Sequence, residues 1–233
     1  MVATRPNFVP LHGWAISLEP MTSEHFADLF AAIAHPVVFE QGFGGGLANL
    51  TTDIASFSEW ASSHFKFDTS HVYVIRATTG PLAGAILGTT TLGDFDDERE
   101  HTHIFSTAFA PHAWGTSVNS MTKYLLLERA FNHGYGRVRI QADVMNHRSR
   151  RAIEALGAQF EGVVRRDKQR ADGSWRDTAL YSILIDEWPM VAGRLERRIA
   201  EKAGTEPSDC GDGTDWKPPA EADKAKKGEG TFW

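Results

Sequence analysis

Along the first two hundred residues, hydrophobic positions alternate between a spacing of two and a spacing of three to four, the periods of strands and helices. Ala15–Glu19 reads as a first strand, and Ser23 with Glu24 opens a helix through Ile33. Residues 36–50 form a loop around the glycine-rich run at 41–46. Beyond it Ile54, Phe57, Trp60, Ala61 and Phe65 keep helical spacing, which predicts a helix from Thr52 to Phe65. Three strand-like runs come next, His71–Thr78, Ala83–Leu92 and His101–Phe109, with Gly80-Pro81 and the acidic stretch Asp94–Glu100 as the turns between them. Val118–Phe131 predicts a long amphipathic helix, with Gly134 and Gly136 as stop signals. A strand at Val138–Val144, a short helix at Arg148–Leu156 closed by Gly157, and strands at Gln159–Arg166 and Arg176–Ile185 follow. Pro189 opens a terminal helix to about Lys202. The order β-α-α-β-β-β-α-β-α-β-β-α predicts an α/β (α+β) domain over residues 1–200, a mixed central sheet of about seven strands flanked by helices.

The periodicity stops near Ala200. Residues 200–233 hold five glycines, three prolines, eight acidic and five basic residues, and almost no aliphatic side chains. Such a segment cannot bury enough apolar area to offset its ordering entropy, so residues 201–233 are expected to form a flexible, low-complexity charged tail. Trp216, Phe232 and Trp233 either dock on the body or a partner, or stay solvated. The single cysteine, Cys210, lies in this stretch, which excludes an internal disulfide, a cysteine-built zinc site and a nucleophilic role for it.

Composition narrows the class without naming a function. The chain of 233 residues is 42% hydrophobic and 23% charged, the balance of a globular protein, and its net charge of −6 argues against a dedicated nucleic-acid binder. No run of 18 apolar residues is present, and residues 1–10 lack the apolar core of a signal peptide, so a cytoplasmic location away from membranes is expected.

Two segments carry chemistry. The first, Ala110-Pro-His-Ala-Trp-Gly-Thr-Ser-Val-Asn119, follows a strand and opens the long helix. A helix N-terminus offers unpaired N–H groups and the positive end of the macrodipole, and Gly115 lets a phosphate approach the backbone. Alone, the same residues also fit a plain helix start. The second, Asn146-His-Arg-Ser-Arg-Arg-Ala-Ile-Glu-Ala-Leu-Gly-Ala-Gln-Phe-Glu-Gly162, runs on as Val163-Val-Arg165. Here Asn146 can cap a helix with its amide oxygen. Together, in this order and over about residues 10–190, they resemble the GNAT acyltransferases, in particular the RimJ/RimL-like branch of ribosomal-protein N-terminal acetyltransferases. The second segment is close to that branch's Asn-x-x-Ser, Leu-Gly-Ala and Glu-Gly-x-x-Arg pattern.

The resemblance implies the GNAT fold, acetyl-CoA as co-substrate, no metal, and an amine acceptor that attacks the thioester directly. It assigns the pantetheine arm to the backbone of Thr107, Ala108 and Phe109, exposed by a bulge and a splay between strands. The pyrophosphate falls to Trp114, Gly115, Thr116, Ser117, Val118 and Asn119. Asn146 and Ser149 face the coenzyme, with the Ser149 hydroxyl near the sulfur as a donor to the departing thiolate. His112 and Ser117 depart from the family's Gln or Arg and its Gly or Ala. Where relatives often place a Glu, His103 stands in His101-Thr-His-Ile-Phe-Ser106, a candidate general base; the pair His101 and His103 also fits ordinary packing on a strand. Residues 137–176 hold ten Arg or Lys against five Asp or Glu; among them Arg148, Arg150 and Arg151 suit phosphate pairing or a solvated helix face. Candidate acceptor contacts are Phe39, Glu40, Phe43 and Trp175, with Glu40 attracting an ammonium. The expected activity is N-acetylation of a protein N-terminus or a small amine by a monomer or homodimer. The alternatives are a different acyl donor, a hydroxyl acceptor, or a non-catalytic acyl-CoA-binding or partner-binding module.

Overall fold

From the N-terminus the chain forms β1 (Leu11–Gly13), β2 (Ile16–Pro20), α1 (Phe26–Ile33), α2 (Pro36–Phe39) and α3 (Ile54–His64). Next come β3 (His71–Ala77), β4 (Ile86–Asp96), β5 (His101–Phe109) and α4 (Val118–Phe131). The remainder is β6 (Arg137–Asp143), α5 (His147–Leu156), β7 (Gln159–Gln169), β8 (Trp175–Leu184) and α6 (Trp188–Glu201). The computed structural model describes residues 2–40, 42–170 and 172–202. The expected tail, with Cys210, Trp216, Phe232 and Trp233, lies outside the described residues beyond Lys202.

The strands make one open eight-stranded sheet in the order β1-β2-β3-β4-β5-β6-β8-β7. The strand beyond the expected seven is β1, three residues folded back on β2 across a turn in which Trp14 takes a φ of 52°. A run so short leaves no alternation to read. Within the expected loop over 36–50, Pro36 starts the single turn of α2, and short 3₁₀ turns follow at Phe43–Gly45 and Leu47–Asn49. Helix α3 begins at Ile54, because the Asp53 carboxylate accepts the Ser56 N–H at 2.9 Å and ends the extended chain there. Strand β4 runs on to Asp96, into the stretch expected to be only a turn.

Alternation divides the core between the two faces of the sheet. Tyr73 and Ile75 of β3 pack with Leu125, Leu126 and Leu127 of α4 and with Val191 and Leu195 of α6. Val72 and Val74 face the opposite way, against Leu29 and Ile33 of α1 and Phe57 and Ala61 of α3. All neighbouring strands are antiparallel except β5 and β6, which run parallel.

Candidate active site

The parallel pairing of β5 with β6 runs only from His101↔Arg137 to Ile104↔Ile140. Beyond Ile104 the strands part, so among the described residues the β6-facing edge of Phe105–Phe109 has no ladder partner. Two bulges on the other side of β5 shape this opening. Between Thr89 and Thr91 of β4 the register shifts against β5, where Ser106 takes a φ of 45°. Between Gly93 and Asp96 the extra residue is in β4, and Asp94 takes a φ of 50°. Gly88 permits the close approach at this point, since a Cβ there would lie 2.1 Å from the Ala108 carbonyl oxygen. The bulge and splay expected around Thr107, Ala108 and Phe109 are therefore present as geometry.

A cavity of about 670 Å³ fills the opening and reaches the start of α4. It brings together Thr107, Ala108, Phe109, Trp114, Gly115, Thr116, Asn119, Asn146 and Ser149, with His103 and Phe43 on the same wall. Gly115 has a φ of 77°, and nothing lies within 4 Å of where its Cβ would be. Thr116 tightens the turn: its hydroxyl donates to the Ala113 carbonyl at 2.7 Å and accepts the Val118 N–H at 3.3 Å. Ser117 and Val118 are buried and off the cavity wall, so their side chains do not narrow the turn and only their backbone belongs to it. The Trp114 indole donates to the Phe109 carbonyl at 3.0 Å, and the Arg148 guanidinium lies over its ring at 3.5 Å. Lys202, the residue after α6, donates to the Gly115 carbonyl. Helix α5 starts where Asn146 caps it, its side-chain oxygen accepting the Ser149 N–H at 2.9 Å. Open backbone, a glycine turn at a helix N-terminus and flanking cations fit a long phosphorylated thioester.

His103 is buried, stacked on Phe105 at 4.8 Å. Its Nδ1 lies 3.0 Å from Oδ2 of Asp94, and Arg139 donates to the same oxygen at 2.9 Å. Nδ1 also lies 3.1 Å from Nη2 of Arg139, so its role depends on the tautomer; where Nδ1 donates to Asp94, Nε2 is the basic nitrogen, buried and without a hydrogen-bond partner among the described residues. Burial outweighs the attraction of Asp94 and pushes His103 down to about 4, so its imidazole is neutral near pH 7. The hydrogen bond from His103 holds Asp94 below the usual carboxylate range, against its own partial burial.

The acceptor side differs from expectation. Phe39 is fully buried in the core against Phe43 and Trp60, so it is corrected from a substrate contact to a support for Phe43. Glu40 lines a neighbouring groove with Gly42, Asn146 and Arg170 rather than the main cavity. Trp175 stands off both walls, half exposed under the Arg166 guanidinium at 4.4 Å. In their place the structure brings in Lys66, Asp94, Lys123, Arg139, Lys168 and Arg176. His64 joins them, 3.5 Å from the Ser106 hydroxyl. Among the described residues no cluster of His, Cys, Asp and Glu has metal-binding geometry, and no helix is long and apolar enough to cross a membrane.

Known proteins share this framework. A solved GCN5-related N-acetyltransferase from Brucella melitensis is 25% identical, with a TM-score of 0.75 over 84% of this chain and 87% of that one. A structure from Chromobacterium violaceum ATCC 12472, described as a probable acetyltransferase of the GNAT family, is 26% identical, with a TM-score of 0.69 over 81% and 92%. RimJ of Mycobacterium smegmatis, solved in complex with CoA-disulfide, is 19% identical and shares the fold, with a TM-score of 0.62 over 83% and 93%. No curated protein sequence matches the chain. The acetyltransferase (GNAT) domain family matches residues 16–159, from the first residue of β2 to the first of β7, and the chain belongs to that family.

Proposed function

We propose that the protein transfers an acetyl group from acetyl-CoA to a primary amine, a protein N-terminus or a small molecule, as a cytoplasmic member of the RimJ/RimL-like branch acting as a monomer or homodimer. The observation that carries this reading is the splay after Ile104, which opens beside a buried imidazole paired with the half-exposed carboxylate of Asp94. Backbone groups of Thr107–Phe109 receive the acyl arm as a substitute strand, and the start of α4 with Arg148 receives the phosphates. Asp94 draws the acceptor's ammonium to the cavity, and His103 Nε2 takes the proton that the nitrogen must lose. The new C–N bond forms as the C–S bond breaks, and the Ser149 hydroxyl donates to the departing thiolate.

Lys66, Arg139, Lys168 and Arg176 outnumber Asp94 and Asp167 at the acceptor end, a balance that suits an amine bearing a carboxylate nearby. The departures at His112 and Ser117 support the alternative of a cofactor-binding module without turnover. The burial of Ser117 away from the cavity weakens that reading.

Titration of acetyl-CoA into a thermal melt, with ATP as control, tests the proposal. A ligand confined to the native state at a hundredfold excess over Kd adds about 2.7 kcal/mol. The expected result is a saturating rise with acetyl-CoA and none with ATP, followed by thiol release on adding amines. Absence of any shift at millimolar acetyl-CoA would overturn the reading, whereas binding without turnover across a broad amine panel would restore the binding module.

A further inference from the structure

Lys123 has no place in the scheme above, although it lies on the wall of the same cavity. It sits one turn along α4 from Asn119, on the face that looks into the splay. The residue is 5% exposed and shares its amphipathic helix with the buried Leu126 and Leu127, three and four positions on. Its ammonium donates to Thr107 Oγ1 at 2.7 Å, and that hydroxyl lies 2.8 Å from Thr90 Oγ1. Among the described residues it makes no ion pair. Burial alone pushes its pKa down to about 7.

A buried cation with only a hydroxyl for company is costly, and a leucine or methionine would fill the same volume more cheaply. A lysine kept at such a position is explained by an anion that arrives with a ligand. Thr107, its one partner, belongs to the stretch of β5 whose backbone receives the acyl arm, next to the bulge at Ser106. We propose that Lys123 is an anion subsite of the acyl-CoA cleft, holding negative charge on the acyl group. That charge is either the oxyanion that forms when the thioester carbonyl is attacked or the permanent carboxylate of a dicarboxylic acyl chain. The inference rests on the acyl-CoA reading of the cleft.

The test compares binding of three inert CoA thioethers to the full chain and to Lys123→Met, with Lys123→Gln as a second variant. The acetonyl group of S-acetonyl-CoA is uncharged, carboxymethyl-CoA places a carboxylate beside the thioester position, and 3-carboxypropyl-CoA places one where a succinyl chain would end. The expected result is a preference of about tenfold or more for one anionic thioether over acetonyl-CoA, lost in both variants, while acetonyl-CoA binds all three proteins alike. A preference for carboxymethyl-CoA identifies the oxyanion, and one for 3-carboxypropyl-CoA identifies a dicarboxylic donor. No preference in the parent protein, or a preference that survives both substitutions, would overturn the subsite. So would an acyl adduct on Lys123 after incubation with acetyl-CoA, detected by intact mass, since that would make it a nucleophile. Failure of the parent to bind acetonyl-CoA or CoA at all would instead remove the acyl-CoA reading beneath it.

Discussion

His103 and Asp94 illustrate how burial sets a side chain's chemistry. An exposed histidine, titrating near 6.5, is divided between its two protonation states near neutrality. Here burial holds the ring neutral beside Asp94, so the base proposed above is unprotonated at ordinary pH at the expense of basicity. His103→Ala is expected to lower kcat by about 10²- to 10⁴-fold and leave the Kd for acetyl-CoA unchanged. The acid limb of kcat in the parent should fall near the lowered pKa; steady-state rates with a limb at about 6.5 would assign the base to another group. His103 stood out because it occupies the place where relatives often carry a Glu. Asp94, Arg139 and Lys123 did not, since each reaches the site across strands or from a helix. Asp94 reads as one of several turn acids, and a lysine on an amphipathic helix reads as part of its wet face.

At the scale of elements, the long periodic segments were read correctly and the irregular ones were not. Helices α1, α3, α4, α5 and α6 all lie where apolar spacing and glycine stops put them. The bulges at Asp94 and Ser106 left no trace in composition, because a bulge is a property of paired strands and needs only one residue to leave the ladder. Phe39 was misread as a wall residue because an aromatic in a glycine-rich loop has no periodicity to place it. A contact of the same non-local kind ties the tip of the β7–β8 hairpin to the end of β6. Arg170 beyond the end of β7 donates to Asp143 Oδ2 from Nη2 at 2.5 Å and from Nε at 3.1 Å, with Asp143 only 7% exposed. Arg170→Ala would leave that carboxylate buried without its cation, at a cost of about 1–3 kcal/mol in a denaturant melt. Because the hairpin closes the acceptor end, KM for the amine should rise more than KM for acetyl-CoA. Equal rises in both would refute its assignment to the acceptor.

For the whole molecule, acid is the condition to which the fold is most exposed. Burial pushes His64, His71 and His103 each down to about 4. Unfolded, all three would titrate near 6.5, so between pH 6.5 and about 4 the unfolded chain binds more protons than the folded one. Stability is therefore complete above 6.5 and falls as the solution is acidified through this window. With three extra protons the slope reaches about 4 kcal/mol per pH unit. Urea melts at stepped pH should show it, and a proton uptake below one on unfolding near pH 5 would contradict the burial of these rings. The short contact between β5 and β6 carries a different, mechanical consequence. Four residue pairs form the apex of a V whose arms carry five strands and three, so little backbone pairing resists the motion of one arm against the other. Whatever wedges between the arms braces them. With acyl-CoA as the wedge, as proposed above, the lifetime of the protein in a cell would follow the supply of that thioester, and copies starved of it would be the first that proteases cut.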